Sequence, residues 1–202
     1  MKLIPAFLFF TAVAFAQEIQ PVSAEQAVKI ARKVTAALGS PGDVPIAVDA
    51  DVEKPAGIKA GSDAGLLAIP DKKFTPETLA GTSTTVTALG QLWMRNVALA
   101  VNGTAADPAK LRTVKVNDGE KDVSVEVYHL GIAKSDAGGI ELNLFAKDKE
   151  PLVKVPLVKT GATASATPIA LDGRKEGENS GVLVITVFGS YKADVTVTKP
   201  RE

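Results

Sequence analysis

From Thr84 to Thr198, the chain consists mainly of short segments in which apolar and polar residues alternate. Turn-forming residues separate these segments. Around Ile140, and again from Tyr191 to Val197, every second side chain is apolar, which is the period of a strand with one buried face. No helical spacing intervenes between these segments. The region therefore predicts about eight short strands in an antiparallel β-sandwich, with a closed barrel as the main alternative.

The segment from Val182 to Phe188 predicts the central strand of this sandwich. It is apolar almost throughout, as in a strand that is covered on both faces. Gly189-Ser190 joins it to the next alternating segment, and glycine at the first of two loop positions favours a type II′ turn. Similar residues predict three further turns: Asn102-Gly103, Asn117-Asp118-Gly119 and Gly138-Gly139.

An amphipathic helix is predicted before the strand-rich region. Ser23 and Gln26 fit a capping box at its start, and Gly39 with Pro41 beyond it forms a stop signal. Apolar residues recur between these signals at helical spacing. We therefore predict a helix from Ala24 to Leu38 that packs on the body of the domain.

Frequent prolines and glycines predict an irregular segment from Ser40 to Gly81. Within it, the apolar runs Val44–Val48 and Leu66–Ile69 are predicted strands, and Thr75-Pro76 favours the start of a short helical turn. The predicted organisation has three parts: residues 1–16, residues 17–81 with the helix and the irregular segment, and residues 82–202 with the sandwich.

Residues 1–16 have the pattern of a cleavable secretory signal. Lys2 supplies a positive start, the uncharged run Leu3–Ala14 follows, and Ala14-Phe15-Ala16 is a small-x-small cleavage pattern. Gln17 arrives before the roughly 20 apolar residues that a membrane-spanning helix needs. We therefore expect cleavage after Ala16 and a soluble mature chain, without a membrane span, in the periplasm or outside the cell.

The composition of the chain excludes several classes of function. The 202 residues include no cysteine, so disulfides, zinc-thiolate sites and cysteine nucleophiles are ruled out. Without Lys2, 22 basic residues stand against 23 acidic ones, and because the signs are interspersed no surface for nucleic acid is predicted. The phosphate-binding pattern that ends in Gly-Lys-Ser or Gly-Lys-Thr does not occur, and no cofactor is predicted.

His129 is the one histidine of the chain and therefore the single candidate for histidine-dependent catalysis. It follows Val123, Val125 and Val127 at strand spacing, which places it at the end of an inward-facing row. A partly buried, hydrogen-bonded histidine is the favoured interpretation, and a general base is the alternative. The Gly-x-Ser-x-Gly pattern of a serine nucleophile does not accompany it.

Two groups of alternating carboxylates are candidates for binding calcium, which prefers several oxygen ligands from loops. They are Asp49, Asp51 and Glu53, and Asp118, Glu120 and Asp122. Neither group has the spacing of an EF-hand loop, and solvated turn residues are the favoured interpretation. A pair of these acids is also what a glycoside hydrolase would need.

Trp93 and Arg95 lie two residues apart on a predicted strand from Gln91 to Val101, so their side chains should share a face. Both residue types are over-represented in binding hot spots. The pair is therefore a candidate for partner binding, as are Val28 and Val34 on the apolar face of the helix. Core packing of Trp93 is the favoured interpretation.

No recognisable catalytic set accompanies this exported, β-rich architecture. The leading hypothesis is therefore a non-catalytic interaction or structural module of the cell envelope or secretome, with a protein as its partner. The alternatives are an extracellular polymer hydrolase that uses acidic residues, and a carrier for a small apolar ligand, which is favoured if the strands enclose a hollow interior.

Overall fold

The computed structural model of the protein describes residues 19–39 and 44–200, so the predicted signal in residues 1–16 lies outside the described residues. In chain order the elements are β1 (Ile19–Pro21), α1 (Ala24–Leu38), β2 (Ala56–Ala60), β3 (Ala64–Pro70), α2 (Pro76–Ala80), β4 (Thr87–Arg95), β5 (Ala98–Val101), β6 (Thr104–Ala105), a 3₁₀ turn (Pro108–Lys110), β7 (Thr113–Asn117), β8 (Asp122–Lys134), β9 (Ile140–Phe145), β10 (Val153–Pro156), β11 (Val158–Lys159), β12 (Ile169–Lys175), β13 (Ser180–Val187) and β14 (Tyr191–Thr198). The strands form two antiparallel sheets packed together, which confirms the predicted β-sandwich.

Sheet 1 has eight strands and sheet 2 has six. The order in sheet 1 is β1-β2-β3-β4-β8-β9-β10, with β7 also paired to β8, and the order in sheet 2 is β12-β13-β14-β5-β6, with β11 paired to β14. β8 is 13 residues long. It can therefore pair with β7 through Asp122–Glu126 and with β9 through His129–Lys134 on the same edge.

Strands from both sides of the predicted boundary between residues 81 and 82 belong to sheet 1. β3 and β4 pair in register, from Gly65 opposite Arg95 to Pro70 opposite Gly90. β1, β2 and β3 therefore extend the same sheet that the strand-rich region forms.

Alternate residues of facing strands form the core between the two sheets. In β8, Tyr128, Leu130 and Ile132 point toward sheet 2, and in β14, Ala193 and Val195 point back toward sheet 1. Burial stabilises each large apolar side chain by roughly 1.5–3 kcal/mol. Because a slip by one residue would turn this whole row to the opposite face, the core fixes the register of the strands.

Helix α1 covers the other face of sheet 1, which we call the outer face. The Ser23 side chain accepts a hydrogen bond from the Gln26 amide at 3.4 Å, and Gly39 ends the helix with a φ of 65°. Both boundaries of the predicted helix are confirmed. The small side chains of Ala27 and Ala31 face the sheet and allow the helix to pack closely on it.

The predicted strand Val44–Val48 is wrong. These residues adopt irregular structure, and the segment makes one isolated bridge just beyond them, between Ala50 and Asp71. The segment instead crosses the outer face of sheet 1, where Ile46 Cδ1 lies 3.1 Å from the position that a Cβ on Gly131 would occupy. Most of the apolar run is therefore half-buried, with Ile46 packed on sheet 1, but the run does not belong to a sheet.

The predicted strand from Gln91 to Val101 is two strands in different sheets. β4 ends at Arg95 and β5 begins at Ala98, and Asn96 between them has a φ of 52°. The Asn96 side chain donates to the Asp63 carbonyl at 3.0 Å. Because asparagine tolerates this left-handed conformation better than most residues, it allows the chain to turn from sheet 1 into sheet 2.

The hairpin between β13 and β14 is confirmed, but its turn begins one residue earlier than predicted. Phe188 and Gly189 have φ values of 46° and 69°, as in a type I′ turn, and the Ser190 amide donates to the Val187 carbonyl at 3.2 Å. The buried Phe188 ring stacks on Phe74, with centroids 5.4 Å apart. This burial offsets the cost of a left-handed conformation at a residue other than glycine.

Candidate functional site

A groove of about 380 Å³ lies between helix α1 and the outer face of sheet 1. Its floor is apolar and is formed by Val34 of the helix together with Leu67, Trp93 and Val125 of the sheet. Register pairs Leu67 with Trp93, and Trp93 with Val127. Three neighbouring strands therefore present one continuous apolar surface to the helix.

Trp93 is fixed at the floor of this groove. Its side chain is 2% exposed, and its Nε1 donates to the Gln91 side-chain oxygen at 3.1 Å. The favoured interpretation of Trp93 as a packed residue is confirmed. Trp93 and Arg95 do share a face, because both line the groove.

The two helix residues predicted as partner-binding candidates differ in their positions. Val34 is 4% exposed and packs on sheet 1 at the floor of the groove, whereas Val28 is half-buried outside the groove lining. The apolar face of α1 is therefore largely occupied by the domain itself. Ile30, which the sequence did not single out, is 41% exposed at the rim.

Lysine side chains line the helical side of the groove. Lys29 and Lys33 are separated by four residues and therefore project from the same side of α1. Lys33 Nζ donates to the Asn117 carbonyl at 3.3 Å. Both lysines flank the apolar stripe of α1 and border the groove.

The sheet side of the rim carries an ion pair between Arg95 and Asp118. Arg95 Nη2 lies 3.4 Å from Asp118 Oδ2, and the two side chains are partly exposed, at 30% and 25%. The amides of Lys121 and Glu120 donate to the Asp118 carboxylate and lower its pKa, and Arg95 lowers the pKa further. Asp118 is therefore ionised at neutral pH and is balanced by Arg95.

Five of the six carboxylates considered for calcium contact other side chains in the structure. In the first group each carboxylate has its own cation: Asp49 with Lys72 at 2.8 Å, Asp51 with Lys54 at 3.3 Å, and Glu53 with Arg32 at 2.8 Å. In the second, Asp118 pairs with Arg95, and Asp122 accepts from the Asn117 side chain at 3.0 Å. Within residues 19–39 and 44–200, no group of three or more His, Cys, Asp or Glu could hold a metal ion.

His129 is buried on the outer face of sheet 1, in register with Gln91 and Phe145. The burial was predicted, but Nδ1 has no hydrogen-bond partner among the described residues, which differs from the expected hydrogen-bonded histidine. Burial, with a smaller contribution from Arg112, lowers the pKa of His129 to about 4. The imidazole is therefore neutral at pH 7.

Glu126 and Tyr128 form a polar pair between the sheets that the sequence reasoning missed. The Tyr128 hydroxyl donates to the Glu126 carboxylate, and burial is the largest cause of a raised pKa in both side chains. Glu126 also lines a cavity of about 260 Å³ at one end of the sandwich, with Met94 and Leu111. The sequence does contain a sign of this pair. Glu126 is acidic and lies two and four residues before Tyr128 and Leu130, so its side chain points to the same face of the strand.

The described chain is thus an antiparallel β-sandwich with a helix on one outer face and an apolar groove beneath that helix. Comparison with protein-family models, with curated proteins and with solved structures found no match. Among the residues that the structure describes, no helix has both the length and the apolar character needed to cross a membrane.

Proposed function

We propose that this chain is an exported, non-catalytic interaction module of the cell envelope or secretome, and that the groove between α1 and sheet 1 is its binding surface. The observation that carries the proposal is the concave apolar floor with charged groups at its margin. Small-molecule and peptide sites usually combine such a floor with a few polar groups that fix orientation.

The way in which the side chains of the groove are held supports a binding role. Trp93 and Arg95 belong to the residue types that dominate binding hot spots, and both are held by neighbours, Trp93 by Gln91 and Arg95 by Asp118. Side chains that are already ordered lose little conformational entropy when a ligand binds. The groove therefore has the preorganisation that affinity requires.

The export part of the proposal is supported by the signal pattern in residues 1–16. N-terminal sequencing of the protein from the exported fraction should begin at Gln17. Recovery of chains that begin at Met1 would contradict cleavage.

Photo-cross-linking in the native exported fraction tests the binding surface. A photoreactive amino acid replaces Ile30 at the groove rim in one variant and Val158, which is 60% exposed on sheet 2, in the matched control. Intact-protein mass spectrometry then measures adducts of any size, from a small molecule to a polypeptide. We expect a discrete adduct at Ile30 and none at Val158.

Two outcomes would contradict the proposal. The first is the absence of any adduct at Ile30, and the second is the same set of adducts at both positions, which indicates nonspecific capture. Circular dichroism of both variants provides the control for folding, since each replaced side chain is already exposed.

A further inference from the structure

We propose that the groove binds an aliphatic monoanion, with its hydrocarbon chain on the apolar floor and its carboxylate between Lys29 and Lys33. This inference rests on the proposed function, because it names the ligand class of the same groove. The polarity of the floor and the charge of the rim point to this chemistry independently.

The floor favours a hydrocarbon chain over a polar ligand. Val34, Leu67, Trp93 and Val125 carry one polar side-chain atom among them, the Trp93 Nε1, and it already donates to Gln91. A polar group placed on this floor would lose its water without gaining a partner. The volume of about 380 Å³ lies near the lower end of the range for small-molecule sites and fits a single chain on the order of ten carbons.

The charge of the rim selects an anion. Among the described residues, the charged groups that line the groove are Lys29, Lys33, Arg95 and Asp118. Arg95 and Asp118 balance each other, which leaves two lysine charges one helical turn apart. Neither lysine forms an ion pair within the described part of the chain. A carboxylate between them relieves their repulsion and accepts charge-assisted hydrogen bonds.

The only tryptophan of the chain provides a direct measurement, because Trp93 lies on the groove floor. Purified mature protein is titrated with undecanoate that carries bromine on its terminal carbon, since bromine quenches indole fluorescence on contact. The matched probe is an alkyltrimethylammonium of equal length with the same terminal bromine. We expect saturable quenching by the carboxylate, with an affinity about tenfold higher than that of the cation.

Charge variants test the position of the carboxylate. The double variant Lys29→Gln/Lys33→Gln should bind the two probes with nearly equal affinity, because the apolar floor is retained. Lys149→Gln/Lys154→Gln is the control, since it removes the same charge from exposed lysines outside the groove. This control should keep the preference of the native protein for the carboxylate.

A filled groove tests the position of the chain. Gly65 lines the groove, and a Cβ built there meets only the Ile58 carbonyl oxygen, at 3.7 Å, which is an ordinary contact. Gly65→Leu should therefore fold and should abolish quenching by both probes. A melting temperature near that of the native protein shows that the loss comes from the filled groove.

Three results would overturn the inference: no saturable quenching by the carboxylate, equal affinity for the two probes in the native protein, or a lost preference in the control pair as well. The proposed function is judged separately by the cross-linking at Ile30. A polypeptide adduct at Ile30 without carboxylate binding would reject the aliphatic anion and retain the groove as a binding surface. Failure of both measurements would reject both proposals.

Discussion

Acid should destabilise the protein through His129, and the effect should disappear in His129→Leu. The imidazole is 1% exposed, its Nδ1 has no hydrogen-bond partner among the described residues, and Arg112 adds positive charge nearby. All three features oppose the charged form. Leucine preserves the apolar burial and cannot bind a proton.

The size of the effect follows from the difference between the folded and the unfolded pKa. The unfolded chain takes up a proton near the ordinary pKa of 6.5, whereas the folded chain does so only near pH 4. Between these values the unfolded state binds more protons, so the free energy of unfolding falls as the pH falls. The loss attributable to His129 is about 2 kcal/mol at pH 5 and about 3 kcal/mol at pH 4.

Urea unfolding of the native protein and of His129→Leu at pH 7, 6, 5 and 4 measures this loss. Carboxylates such as Glu126 titrate in both proteins, so the difference between the two curves isolates the histidine. We expect the variant to gain on the native protein steadily below pH 6.5. Parallel curves across this range would refute the argument that His129 is held neutral by burial.

Three further substitutions test the packing and the local geometry of the domain. Gly90→Ala should cost roughly 3 kcal/mol or more in a denaturant titration, because the new Cβ would lie 2.3 Å from the Ile69 carbonyl oxygen; an unchanged midpoint would contradict this. Ser23→Ala should cost about 1 kcal/mol through the lost cap of α1, measured by thermal unfolding, and no loss would show that the cap does not stabilise the helix. Phe188→Ala should cost about 3–5 kcal/mol by the same assay, since the buried ring and its stacking are lost; a gain in stability would show that strain in the left-handed turn dominates.

Elements whose cause is local could be predicted from the sequence. Helix α1 has its cap, its apolar spacing and its terminator within one short segment, and its predicted boundaries are those observed. The Asn102-Gly103 turn is equally local, since both residues have positive φ in the two-residue loop between β5 and β6. Such features need no knowledge of which strands pair.

Features that depend on distant pairing could not be predicted. The groove requires α1 to lie over β3, β4 and β8, and no pattern within the helix specifies that surface. The change of sheet at Asn96 could not be predicted for the same reason, because the apolar segments on either side of Arg95-Asn96 resemble one continuous strand although they pair in different sheets. Likewise, the apolar run Val44–Val48 is mostly half-buried, with Ile46 packed on sheet 1, and in the sequence such a run resembles a strand.

Sheet 1 is covered on both faces at its centre, by sheet 2 and by α1. This double covering gives a meaning to the polar residues within its central strands. In β4 and β8 the side chains on both faces of the strand are mainly apolar and buried, so a polar side chain on either face is removed from water. Gln91 and His129 meet this condition on the outer face, and Glu126 meets it on the face toward sheet 2. Gln91 accepts a hydrogen bond from Trp93, and Glu126 accepts one from Tyr128. His129 Nδ1 has no hydrogen-bond partner among the described residues, so nothing there offsets the free-energy cost of removing it from water. Polar residues within strands that lack alternation are therefore the positions at which a sequence of this kind indicates shifted pKa values and side chains that orient a neighbouring site.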